Sequence, residues 1–125
     1  MAETLGILLL SGTHERAHYA FVMATGAAAL GRQVVVFAAN DGVRALLADW
    51  SILEDSGRDA GLRMRGVVGL GELREAALEL KIRLLVCETA LQIAALRPAD
   101  LLEGVSVAGV ATYLEAVRGG QVMTF

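Results

Sequence analysis

Leu5 to Ala39 reads L-G-I-L-L-L-S-G-T-H-E-R-A-H-Y-A-F-V-M-A-T-G-A-A-A-L-G-R-Q-V-V-V-F-A-A. Leu5 to Leu10 is an uncharged apolar run of strand length, broken by the turn Ser11-Gly12-Thr13. From His14 to Leu30 the small or apolar residues Ala17, Phe21, Ala24 and Ala28 recur at helical spacing, with Thr13 in the N-cap position and Gly31 as the C-terminal stop. Gln33 to Ala39, dense in valine, is a second strand. Strand, helix and strand in this order make a βαβ unit, whose strands are parallel and whose crossover is right-handed in nearly all proteins.

The alternation continues downstream. A short helix is expected over Val43 to Trp50, after the turn Asn40-Asp41-Gly42. Ser51 to Gly71 is the least regular stretch. Its glycines and arginines predict a mobile surface excursion with no assignable structure. A helix follows over Glu72 to Lys81, then a buried strand over Leu84 to Cys87 and a helix over Glu88 to Ala95. Pro98 opens a turn of helix, Ala99 to Leu102, where its missing N–H costs least. Ser106 to Ala108 reads as a strand, Gly109 to Val117 as a helix and Gln121 to Phe125 as a final strand. Repeated strand–helix alternation predicts a three-layer α/β/α, Rossmann-like domain on a mainly parallel sheet. There is no repeat or linker, so residues 1–125 are expected to form one domain.

The bulk properties fit that class. The chain is 55% hydrophobic and 20% charged, with a single proline and a mean hydropathy of +0.55. The excess of apolar residues suits a sheet covered on both faces, a subunit interface with an apolar centre, or both. No uncharged stretch reaches the roughly 18 to 20 residues that a membrane-spanning helix needs, so no membrane partner is expected. Glu3 ahead of a short apolar run does not make a secretory signal, and the expected location is the cytoplasm. A net charge of -3 argues against nucleic acid as a partner. One cysteine cannot form an internal disulfide, which agrees with a reducing compartment.

That cysteine, Cys87, stands where a strand ends and a helix begins. Ligand sites in open α/β sheets gather at the carboxyl ends of strands. Unpaired N–H groups at a helix start favour thiolate, the nucleophilic form, whereas the charge of adjacent Glu88 opposes it. The residues are equally compatible with a small, buried, inert thiol. No papain-type or caspase-type setting surrounds Cys87, and no second cysteine completes a C-x-x-C pair.

His14-Glu15-Arg16-Ala17-His18 matches the letters of the H-E-x-x-H zinc-protease pattern. Its context does not match, because it opens a helix after a glycine turn and has no evident third ligand. Two further readings remain. The histidines and arginine decorate an exposed first turn, or, if the first and third strands are neighbours, His14 and Arg16 open beside Cys87 and bind an anionic sulfur species. Nucleotide binding is disfavoured, since Gly6, Gly12 and Gly26 make no G-x-G-x-x-G and Ser11-Gly12-Thr13 lacks a phosphate-loop lysine. Asn40-Asp41-Gly42 reads as a turn rather than a site, and Trp50 as core or interface.

Three stretches together resemble the DsrE/DsrF-like proteins of sulfur metabolism. They are His14 to Gly42, Val86-Cys87-Glu88-Thr89-Ala90, and Asp100 to Val105 continuing through Gly109 to Leu114. The resemblance implies a five-stranded parallel sheet between helices, assembly into trimers or hexamers, and a cysteine that carries sulfur as a persulfide. Cys87 matches that cysteine. It further implies donor and acceptor proteins as partners, because this chain lacks the additional cysteines some relatives have and cannot run an internal relay.

The expected function is therefore a sulfur carrier or sulfurtransferase-like protein acting through Cys87, with His14, Arg16 and Glu88 as substrate-binding residues and no cofactor. The alternative is a noncatalytic oligomeric scaffold or small-ligand module with a buried Cys87. A third reading is a metal or redox site from His14, His18 and Cys87, which is short of ligands for zinc. A peroxidase is disfavoured by the want of a resolving cysteine.

Overall fold

The computed structural model describes residues 3–125. Five strands form one sheet: β1 (Leu5–Leu9), β2 (Val34–Ala38), β3 (Arg83–Cys87), β4 (Ser106–Ala108) and β5 (Gln121–Thr124). Their order is β4-β3-β2-β1-β5, and every pairing is parallel. The helices are α1 (His14–Ala29), α2 (Arg58–Met64), α3 (Leu70–Glu79), α4 (Glu88–Ile93) and α5 (Val110–Ala116). Parallel neighbours need long crossovers, and these helices supply them.

Strand alternation divides the core in two. Val34, Val36, Ala38, Leu84 and Val86 face a large cluster that takes in Ala17, Phe21 and Ala24 of α1, Leu70, Leu73 and Ala77 of α3, and Ala90 and Leu91 of α4. Val35, Phe37 and Leu85 face the other way, where they meet Tyr113 and Val117 from α5 and the turn after it. All five residues of β2 are buried, as expected of a central strand with helices on both faces. Full burial of a side chain such as Phe21 contributes about 1.5 to 3 kcal/mol. The second layer is thin. Val110, Leu114 and Val122 remain exposed on α5 and β5.

Thr13 caps α1, its hydroxyl accepting from the Arg16 N–H, and Gly31 follows the helix at φ +87°. The expected helix over Val43 to Trp50 is replaced by two 3-10 segments, Asn40–Leu46 and Trp50–Ile52. Distant partners take the backbone groups that a helix would have used. Leu102 N–H donates to Leu46 O and Ala48 N–H to Asp100 O, while the buried Arg74 guanidinium donates to the carbonyls of Ala45, Leu47 and Ala48. The stretch 51–71, expected to be irregular, contains α2 and the first residues of α3. α4 stops at Ile93, short of the expected Ala95, which takes φ +55° instead. No helix among the described residues is long and apolar enough to cross a membrane.

Candidate functional site

Cys87 is the last residue of β3 and the N-cap of α4. It pairs with Ala108 of β4 and touches both core clusters, because it stands at the sheet's carboxyl edge where the two layers meet. It is a free thiol of intermediate exposure. α4 has only six residues, so the helix field at the sulfur is modest. Glu88 and Thr89, the next two residues, are exposed.

Strand order separates His14 from Cys87. β1, which leads to His14, neighbours β2 and β5, and β2 lies between it and β3. The expectation that the first and third strands are adjacent is thus corrected, and with it the reason for setting His14 beside the thiol. Nor does His14 decorate a surface: it is fully buried. Its Nε2 lies 2.7 Å from Asp59 Oδ1, and its Nδ1 faces Arg58 Nη1 at 3.4 Å. A neutral ring protonated on Nε2 satisfies both contacts, donating to the carboxylate and accepting from the guanidinium. Arg16 is exposed in the first turn of α1.

His18, stacked on His14 with ring centroids 5.6 Å apart, donates from Nε2 to the Val68 carbonyl at 2.8 Å. Both histidines are therefore engaged in holding the stretch that contains α2 against α1. Glu15, the would-be base of the H-E-x-x-H pattern, is exposed. Among the described residues no group of three or more His, Cys, Asp or Glu side chains is placed to hold a metal ion. The zinc-protease reading has no structural support.

Asp59 is the centre of this cluster. Burial alone would raise its carboxyl, but hydrogen bonds from the Leu70 N–H and from His14 outweigh that and hold its pKa below the usual carboxylate value. Sequence reasoning missed Asp59 and Arg58, since Asp59 meets its histidine across 45 residues with no local pattern to announce it.

The carboxyl ends of β2 and β3 also flank a cleft of about 430 Å³. Asn40, Asp41 and Arg44 line one side, and Ala90, Ile93 and Ala94 of α4 another. The turn Asn40-Asp41-Gly42 is thus both a turn and a cleft wall. Gly42 is obligatory there, because a Cβ would run into the Leu9 carbonyl.

The model of the DsrE/DsrF-like family matches residues 5–125. The uncharacterized protein YrkE of Bacillus subtilis (strain 168) is 27% identical, with 95% of this chain and 94% of that protein covered. The crystal structure of the E. coli ychN protein is similar over 100% of both chains at a TM-score of 0.73 and 15% identity. MTH1491 from Methanobacterium thermoautotrophicum, a protein of unknown function, is similar over 98% of this chain and 99% of its own, at a TM-score of 0.65 and 20% identity. These two solved structures share the fold.

Proposed function

Because the chain belongs to the DsrE/DsrF-like family, we propose that it is a sulfur carrier in which Cys87 accepts a sulfane sulfur and passes it to a partner protein. The observation that carries this reading is the position of the chain's one thiol at the carboxyl end of β3, partly open to solvent. Cys87 thiolate attacks the outer sulfur of a sulfane donor; the donor S–S bond breaks, its thiolate leaves, and Cys87 becomes a persulfide. An acceptor thiolate then takes the outer sulfur and releases Cys87. The sequence of steps is redox-neutral, and its rate depends on thiolate fraction and access.

Glu88, an exposed charged side chain and the chain neighbour of Cys87, is the residue we assign to the incoming sulfur species, whereas Arg16, in the first turn of α1, loses with His14 the strand adjacency that set it beside the thiol. His14 is withdrawn from that role by its burial. With one cysteine, both the donor and the acceptor of sulfur are other molecules. The exposed Val110, Leu114 and Val122 on the thin side of the sheet support self-assembly into a trimer or hexamer through that face. A reducing, cytoplasmic setting suits a carrier that works through a free thiol.

The alternative, a scaffold whose cysteine is only a packing residue, requires a sealed side chain, and the intermediate exposure of Cys87 argues against it. Alkylation of the native protein separates the two. A carrier labels at Cys87 without denaturant, faster as pH rises; a scaffold labels only after unfolding.

A further inference from the structure

The cleft at the carboxyl ends of β2 and β3 has two unlike walls. Its polar wall, from the 3-10 segment after β2, presents Asn40, the Asp41 carboxylate and the Arg44 guanidinium. Its other wall is apolar and includes Ile52, Ala90 and Ile93. At about 430 Å³ it falls within the roughly 300 to 1,000 Å³ of small-molecule sites, and mostly apolar walls with a few polar groups are their usual lining.

The charges in this wall are incompletely used. Arg44 Nη2 meets Asp41 Oδ1 at 3.7 Å, with the side chains 38% and 70% exposed. That single long contact leaves most of the five guanidinium donors, and most of the carboxylate's acceptor capacity, unfilled. A bare dianion would gain from Arg44 and be repelled by Asp41. A molecule carrying both a carboxylate and an ammonium on a short apolar body complements all three features: carboxylate to Arg44, ammonium to Asp41, and body along the α4 wall. Ala90 belongs to that wall, and Cys87 stands one helical turn ahead of it at the start of α4.

We propose that this cleft binds a low-molecular-mass amino-acid thiol bearing a sulfane sulfur, and presents it to Cys87 as the donor; the inference rests on the sulfur-carrier reading. In the transfer, Cys87 thiolate forms a bond to the outer sulfur and the S–S bond of the bound persulfide breaks. The departing amino-acid thiolate keeps the electron pair and takes a proton from water, so nothing is oxidised or reduced overall. Asn40, Asp41 and Arg44 act as binding residues.

The probe is S-methylcysteine, which has the zwitterion and the short apolar body but no sulfur to transfer. Titration calorimetry is expected to show saturable binding to the wild type and to Cys87→Ser alike, weakened about tenfold by Arg44→Gln, the loss expected for one charge-assisted contact. Asp41→Asn is expected to weaken it similarly. Circular dichroism checks that the variants keep their fold. No saturable binding at millimolar probe, or binding that both wall variants leave unchanged, overturns the assignment.

Sulfur uptake by mass spectrometry, run with cysteine persulfide, keeps the two readings apart. Probe binding without sulfur gain at Cys87 sinks the carrier role, and the donor role of the ligand with it. Sulfur gain from other donors without probe binding overturns the cleft assignment and leaves the carrier role standing.

Discussion

His14 Nε2 lies 2.7 Å from Asp59 Oδ1, with the two side chains 0% and 7% exposed. The same carboxylate oxygen accepts the Leu70 N–H at 2.7 Å, so one buried aspartate of α2 ties together the starts of α1 and α3. Asp59 is the only buried residue of α2, which makes this polar clamp, rather than apolar packing, the principal anchor of that helix. Replacing Asp59 by alanine leaves the buried His14 Nε2 and the buried Leu70 N–H without partners. Asp59→Ala is expected to lower stability by about 3 kcal/mol. Urea unfolding measures the loss, and hydrogen exchange is expected to show it as early opening of residues 54–69.

The same carboxylate predicts a limb of the pH–stability curve. Its folded pKa is depressed below the ordinary value of about 3.9. Its contribution is therefore fully present above that unfolded value and is lost as pH falls through the lower, folded one. Asp59→Asn is expected to be less stable than wild type near neutrality and to show a shallower acid limb, read as unfolding midpoints between pH 2 and 6.

On the opposite face, the Tyr113 hydroxyl is buried without a hydrogen-bond partner among the described residues, and burial pushes its pKa up. The ring stacks on Phe37 at 4.9 Å. Tyr113→Phe keeps the stack and removes the unpaired group, so thermal unfolding is expected to show unchanged or improved stability, by up to about 1 kcal/mol.

Gly42 holds the polar wall of the cleft against the end of β1. A methyl group there meets Leu9 backbone atoms that cannot rotate away. Gly42→Ala is expected to cost about 2 kcal/mol, within the usual range for overpacking, and to displace Asp41 and Arg44. The checks are chemical denaturation and loss of S-methylcysteine binding.

What the sequence disclosed follows the range of the forces involved. β1, α1 with its Thr13 cap, β2 and the strand end at Cys87 are written in local periodicity and turn chemistry, and they are found within a residue or two of the expected places. The helix expected over Val43 to Trp50 gives way because the Leu47–Leu101 bridge and the Arg74 guanidinium capture its backbone, and neither is visible from nearby residues. α2 was illegible for the same reason: its one buried side chain serves a partner 45 residues away. Strand order is likewise non-local. Supposing β1 and β3 adjacent placed His14 beside the thiol, whereas β2 stands between them.

Intact-mass spectrometry after incubation with polysulfide, with Cys87→Ser as the control, decides whether Cys87 carries sulfur. A sulfur carrier is expected to gain one sulfur atom, removed by reductant and absent from the variant. A protein that stays at its original mass while its thiol resists alkylation until unfolded is no sulfur carrier, and Cys87 is then a packing residue.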